Sequence, residues 1–424
     1  MLNWCLMDFK DRLARLDPNR YAANPPVSGN AELDYAHLLP GKAENNACGS
    51  YWHIRTELSL AHRHGNFLLG NFLERDLKHL RFAARRQLAG KMFPQNLLFM
   101  DTETTGLAGG AGTMAFLVGV GYFDRDRFVI EQYFVRRFAE ERAVLGQFFN
   151  RLESTACVHG ALVTFNGKCY DLPLLHNRAV LQRFSHIPAV EVHIDLLYPS
   201  RRLWRRHLPD CALKTLEGAL AGVTRQGDVP AYLIPEMYFR YLRTSDPTPL
   251  KDVFYHNQLD ILSMVALLDV MLMLFSREAA GDYLPVDRLS MARMVEEVDR
   301  EEMSPDFYDR LMEGSAGEAE RKQLMLGKAR LHKRKRNFAE AVNLWEDALT
   351  CRGFSAEPYE ELAKAYEHHL ADPELARRYT ERALEQLALV QTLYPERGYR
   401  YLKENLMVRL RRLQRKLRRG KETL

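Results

Sequence analysis

The stretch that most limits what this chain can fold into runs from Leu97 to Phe123, LLFMDTETTGLAGGAGTMAFLVGVGYF. Leu97 to Met100 has the length and composition of a buried strand, and Asp101, Thr102 and Glu103 follow directly. Residues two apart on a strand share a face, so the spacing predicts that Asp101 and Glu103 project together while Thr102 points away. Two carboxylates on one face repel, and they are stable together mainly with a cation between them. Hard oxygen ligands of this kind select Mg²⁺ or Mn²⁺ over Zn²⁺.

Alone, Asp-x-Glu reads as a strand end meeting solvent; the residues around it change that reading. Thr104, Thr105 and Gly106 come next, then Gly109, Gly110 and Gly112 let the backbone approach a ligand, and Thr113 to Phe123 reads as a returning strand. Thr104 to Phe123 carries no charge, but its six glycines and the acidic pair at its mouth argue for a turn and a strand rather than a membrane helix.

Asp124-Arg125-Asp126-Arg127 then has the composition of a hairpin turn into a third strand, Phe128 to Phe134. Helical spacing follows over Glu140 to Leu152, and a short strand, Leu162 to Phe165, leads into Asn166-Gly-Lys-Cys-Tyr170-Asp171. Asp171 opens a helix, where an aspartate is most often a cap. Val190 to Ile194 is a further strand ending in Asp195. Beyond it Arg201, Arg202, Arg205 and Arg206 surround Trp204, with Lys214 adding to the patch. Such a cluster is either a solvated helix face or a site for phosphate contacts and base stacking. Leu250 to Phe275 reads as one long apolar helix packed under the sheet, with His256 one turn before Asp260 on the same face and Tyr255 well round the cylinder.

A chain of 424 residues implies two or three domains, and a net charge of +5 permits nucleic-acid binding without demanding it. The six cysteines are scattered without a C-x-x-C pair, which fits a reducing cytoplasm, and Asp8, Lys10, Asp11 and Arg12 interrupt the first apolar run before it reaches the length of a signal peptide. Residues 1 to about 30 read as a short amphipathic helix and a loop. Asn71 to Leu88 reads as helical, and His53, His62 and His64 invite a metal reading but lack a fourth ligand at suitable spacing.

Three blocks stand in order: Asp101-Thr-Glu103-Thr-Thr-Gly106, Asn166-Gly-Lys-Cys-Tyr170-Asp171 and His256-Asn-Gln-Leu-Asp260. Together they resemble the DEDD (DnaQ-like) exonuclease superfamily, and most of all its YprB-type branch, in which a ribonuclease H-like nuclease precedes a tetratricopeptide-like tail. The resemblance covers about residues 96 to 275. It implies a mixed sheet flanked by helices, Asp101, Glu103, Asp171 and Asp260 converging on two divalent ions, and 3′-to-5′ removal of nucleotides. In one respect the chain departs from it. The superfamily's third block carries Tyr four residues before the Asp or His five before it, whereas here His256 stands at four and Tyr255 at five. His256 is the favoured water-orienting group, because helical geometry aims it with Asp260 and its unperturbed pKa lies nearest working pH.

The tail carries an internal repeat. NFAEAVNLWEDAL at Asn337 to Leu349 matches DPELARRYTERAL at Asp372 to Leu384, a period of 35 that is close to tetratricopeptide length. A plain helical bundle is the other reading. The last segment sets Leu402, Leu406, Leu410, Leu413 and Leu417 on one stripe among Arg and Lys, a cap for the repeat whose outer face either holds nucleic acid or is merely solvated.

The expectation is therefore an α/β fold, a ribonuclease H-like mixed sheet flanked by helices, followed by an all-α tetratricopeptide-like domain. The domains expected are an N-terminal extension over 1–92, the nuclease over 93–278, and a linker with helical repeats and a basic terminal helix over 279–424. The expected activity is two-metal (Mg²⁺ or Mn²⁺) 3′-to-5′ hydrolysis of single-stranded DNA or DNA ends in repair. His256 and the four acids carry the chemistry, and Thr104, Asn166, Arg201, Arg202 and Arg205 contact substrate. An RNA exonuclease and a catalytically silent scaffold stay open as alternatives. The repeats suit a protein partner, sought first among helicases that expose strand ends.

Overall fold

The computed structural model describes residues 39–106, 112–157, 160–276, 286–299, 304–313, 317–393 and 399–422. The N-terminal amphipathic segment and Gly109 and Gly110 lie outside these residues.

Seven strands form the main sheet, in the order β1-β2-β7-β6-β5-β8-β9. They are β1 (Lys42–Asn46), β2 (Gly49–Ser59), β5 (Leu97–Thr104), β6 (Ala115–Asp124), β7 (Arg127–Phe134), β8 (Ala161–Thr164) and β9 (His193–Asp195); β3 (Arg63–His64) and β4 (Phe67–Leu68) make a small separate hairpin. The first five strands in that order pair antiparallel, whereas β8 and β9 run parallel to β5. β6 and β7 are buried over almost their whole length, which is why they read as continuous apolar runs. Helix α2 (Glu141–Thr155) covers one face and helix α7 (Leu250–Phe275) the other. The alternation within β7 shows this directly, because Glu131 reaches Arg151 of α2 while Gln132 reaches the Phe254 carbonyl of α7.

Two parts of the sequence reading change here. Lys42 to Ser59 adds two strands to the main sheet, which therefore draws on residues well before 93. The expected helix over Asn71 to Leu88 is instead two 3₁₀ turns, Leu69–Glu74 and Leu77–His79, and the five-residue helix α1 (Leu80–Ala84), closed by Arg85 in the left-handed region. Most of its buried residues do share a helical face, but the chain breaks at Arg75 and Asp76, both extended, and the Asp76 carboxylate caps the second turn by accepting the Lys78 amide.

Helix α7 keeps the bounds expected of it. Its 26 residues are long and apolar enough to cross a bilayer, and here they are packed into the core. Two glycines seat it. A Cβ added at Gly119 would lie 2.0 Å from Asn257 Oδ1, and one at Gly121 would lie 2.5 Å from Ile261 Cγ2. Four residues of helix rise about 6 Å and two of strand about 6.7 Å, so Asn257 and Ile261 fall in step with alternate positions of β6.

After β8 come α3 (Asp171–Leu181), α4 (Leu197–Trp204), α5 (Leu213–Ala221) and α6 (Ile234–Thr244). Beyond α7, helices α8 (Arg288–Val298) and α9 (Pro305–Glu313) bury Met291, Met294, Phe307 and Tyr308 in the same apolar core as α7. Two helical hairpins follow, α10 (Glu318–Arg334) with α11 (Phe338–Thr350) and α12 (Ala356–His368) with α13 (Pro373–Leu393), and α14 (Arg400–Glu422) packs on the last. Ala341, Ala348, Ala376 and Ala383, the repeated small residues, are fully buried, which lets the paired helices approach closely. On α14, Leu406 and Leu413 are buried and Leu402, Leu410 and Leu417 half-buried, as the stripe required.

Candidate active site

Asp101 and Glu103 stand at the end of β5, where its pairing with β6 shifts register between Glu103 and Thr104. Asn257 Nδ2 of α7 donates to Asp101 Oδ2 at 2.8 Å. Thr102 belongs to the cluster rather than pointing away from it, because its hydroxyl donates to Asp171 Oδ1. Asp171 is the first residue of α3, and its carboxylate turns to Thr102.

The loop before Asp171 is held by Asp195, whose carboxylate accepts the amides of Asn166 at 2.8 Å, Lys168 at 3.0 Å and Leu197 at 3.1 Å. This allows Asn166 its positive φ of 66°. Tyr170 closes the other side, donating to the Gly106 carbonyl at 2.6 Å beside Thr104, whose hydroxyl lies 3.1 Å away.

Asp260 and His256 come from α7. His256 Nδ1 lies 2.6 Å from Asp228 Oδ1, and its Nε2 lies 3.4 Å from Asp260 Oδ2. His256 is buried while Tyr255 is exposed, so of the two it is His256 that faces the acids. The Arg225 guanidinium is almost wholly buried among Glu217 at 2.5 Å, Asp228 at 3.5 Å and Asp260.

Charge is crowded in this site. Burial pushes the Asp101 carboxyl well above the usual range, with the charges of Asp260 and Asp171 adding to it. Burial does the same to Glu103, reinforced by Asp101, Asp260, Asp171 and Asp228. Asp171 is raised to about 6, chiefly by burial, against the Thr102 hydrogen bond. As the side chains stand, no group of three His, Cys, Asp or Glu among the described residues is close enough to ligate one ion. Asp101 is held by Asn257, Asp171 by Thr102 and Asp260 by Arg225. The donor set itself fits a hard divalent cation, because it is all carboxylate oxygen and its own repulsion disfavours the charged form.

The sequence pattern of the RNase_H superfamily matches residues 98–272, the stretch that supplies β5, α3 and α7. Uncharacterized protein YprB of Bacillus subtilis (strain 168) is 30% identical over 365 residues, covering 85% of this chain and 84% of that one. The chain belongs to the YprB family. An RNase H-like domain supports nuclease activity and nucleic-acid binding in this YprB-family protein, and nucleases of that kind generally use divalent metal ions.

The remaining expected site residues of this YprB-family chain are dispersed. Thr104 is buried against Tyr170 and Gly106, and Asn166 is exposed on the loop before Asp171. Arg202 clamps α4 to α8 through a paired contact with Glu297 at 2.7 and 2.8 Å, and Arg206, just beyond α4, pairs with Asp287, the N-cap of α8, at 3.1 Å. Arg201 and Arg205 are exposed. Trp204 is buried in the core and offers no face for base stacking. The three early histidines do not converge: His53 pairs with Glu44 at 3.2 Å, and His64 lies 2.8 Å from Ser263 Oγ.

Sequence reasoning missed Asn257, Arg225, Asp228 and Gly119. Asn257 lies inside the third block and Gly119 in the returning strand, where alternating glycines mark a close approach. Arg225 and Asp228 carried no signal for the site, because the site residues they hold, Asp260 and His256, lie 35 and 28 residues away.

Proposed function

We propose that this protein is a metal-dependent 3′-to-5′ exonuclease that hydrolyses phosphodiester bonds of single-stranded DNA or DNA ends in the cytoplasm, in the service of DNA repair. The observation that carries this reading is the crowding of Asp101, Glu103 and Asp171 with Asp260, in which burial and neighbouring carboxylates push Asp101 and Glu103 well above the usual carboxyl range and burial raises Asp171. A site that strained contributes little to folding, and a divalent ion relieves it.

In this reading Asp101, Glu103, Asp171 and Asp260 hold two ions, Mg²⁺ or Mn²⁺. Bound there, such ions activate water, neutralise the scissile phosphate and stabilise the leaving alkoxide. Asn257 keeps Asp101 aimed at the site, Thr102 does so for Asp171, and Arg225 for Asp260. His256 orients the attacking water through the ring nitrogen on the Asp260 side. Exposed Asn166, Arg201 and Arg205 suit contacts to the sugar–phosphate chain, whereas Thr104 shapes the turn under it. The 3′-to-5′ polarity and the preference for DNA rest on resemblance to DEDD exonucleases. The paired helices α10 to α13 suit a tetratricopeptide-like docking role for a protein partner, a helicase that exposes strand ends being the first to seek.

The test is a panel of 5′-labelled single-stranded and duplex DNA and RNA with free or blocked 3′ ends, each with Mg²⁺, Mn²⁺ or EDTA. The reading expects stepwise shortening of DNA with a free 3′ end and protection by the block. Shortening confined to RNA would transfer the activity to an RNA exonuclease.

A further inference from the structure

We propose that Asp228 is a positioning residue for His256, fixing the ring so that Nε2 faces Asp260 and the reacting groups. This rests on the nuclease reading in one respect, that His256 orients the attacking water.

The loop after α5 brings Asp228 beneath α7, where its side chain is almost wholly buried. Distances decide which carboxylate aims the imidazole. Asp260, one turn along the same helix, stands 3.4 Å from Nε2, a loose contact; Asp228, from a different element, stands 2.6 Å from Nδ1, a strong hydrogen bond. Lys214 Nζ at 3.3 Å and Arg225 Nη1 at 3.5 Å keep Asp228 an anion. A carboxylate anion only accepts, so Nδ1 carries the proton and Nε2 is the nitrogen left for the chemistry. Without this partner the ring could turn, or take the other tautomer.

Arg225 keeps the arrangement from drifting. Its guanidinium ties the loop that carries Asp228 to Glu217 on α5 and to Asp260 on α7. Glu217 in turn accepts from Ser263, two turns beyond His256 on the helix, so loop, α5 and α7 are locked at several points. The position of Asp228 relative to His256 is therefore set by packing and not by the two side chains alone.

The experiment uses the full chain with Mg²⁺ and compares the wild type with Asp228→Asn, a change of nearly equal size that can donate to Nδ1 and favour the opposite tautomer. Cleavage of a 3′-recessed oligonucleotide, thermal unfolding, and the ¹⁵N imidazole signals of His256, assigned against His256→Gln, are read together. The expected result is a fall in kcat of roughly a hundredfold or more, little change in KM or Tm, and movement of the ring proton from Nδ1 to Nε2. Substitution that leaves both kcat and the ring signals as in the wild type overturns the proposal. If the wild type fails to cleave while the tautomer still moves, the nuclease reading falls and the positioning role stands.

Discussion

Asn257 reaches Asp101 across Gly119: the amide nitrogen lies 2.8 Å from the carboxylate, and the amide oxygen sits where a Cβ on Gly119 would be, 2.0 Å away. The acid on β5 and the block on α7 are thus held in register by a missing side chain. The same amide oxygen accepts from Gln132 on β7 at 2.8 Å, so Asn257 is fixed from both sides.

Gly119→Ala should therefore harm the site more than the fold. Asn257 has nowhere to give without losing Asp101 or Gln132, and overpacking of this kind costs about 1 to 3 kcal/mol. Denaturant unfolding should register that loss, and cleavage at saturating Mg²⁺ should fall by at least tenfold. Unchanged cleavage would mean that the contact does not matter.

The acids should lower stability when no cation is present. Their folded pKa values lie above the unfolded ones, so their contribution is favourable below about pH 4, the ordinary carboxylate value, and is lost as pH rises through the folded value, about 6 for Asp171. At neutral pH in EDTA, Glu103→Gln should therefore raise the Tm. Added Mg²⁺ or Mn²⁺ should raise the Tm of the wild type and do so much less for the variant. Equal shifts in both proteins would argue against Glu103 as part of a cation site.

How far the sequence foretold this follows from the range over which each signal acts. The strand before Asp101, the hairpin at Asp124 and the bounds of α7 were legible because composition and period are local. β1 and β2 were not, since Tyr51 to Ile54 of β2 are buried in an unbroken run and leave no two-residue period to read. The stretch after Asn71 misled because its apolar spacing is largely helical while the backbone is extended at Arg75 and Asp76. Arg202 and Arg206 read as either a solvated face or a nucleic-acid patch until Glu297 of α8 and Asp287, its N-cap, came to them as partners, and Thr102 read as turned away until α3 brought Asp171 to it. Charges find partners through tertiary structure, and spacing cannot see them.

Histidine burial should oppose the acids in the same pH window. Burial holds His64, His79 and His193 down at about 4, with nearby Arg225, Lys78 and Lys168 adding to it in turn. Below the unfolded value of about 6.5 the unfolded chain takes up protons that the folded chain refuses, so stability falls as pH drops from 6.5 towards 4. The site acids partly offset this. Asp171→Asn should therefore steepen the loss of Tm between pH 6.5 and 4; an unchanged slope would contradict the assignment.

On the terminal helix, Arg412 contacts Glu367 at 2.7 and 2.8 Å, with Arg409 at 2.8 Å, while Arg411, Arg415 and Arg418 are exposed. Arg412 therefore belongs to the packing of α14 on α12. If the tail docks a protein, reversing the charge of Arg411, Arg415 and Arg418 together should leave nucleic-acid affinity and its salt dependence unchanged, and Arg412→Ala should lower the Tm. A log–log salt slope reduced by about three in the triple variant would assign the helix to substrate holding instead.

The most direct test of the central claim is the release of nucleotides from 5′-labelled single-stranded DNA by the wild type, Asp101→Ala and Asp260→Ala, each with Mg²⁺ and with EDTA. The account predicts cleavage by the wild type with Mg²⁺ alone, none by either variant, and near wild-type DNA binding by both. Full cleavage by either variant, or by the wild type in EDTA, would contradict it.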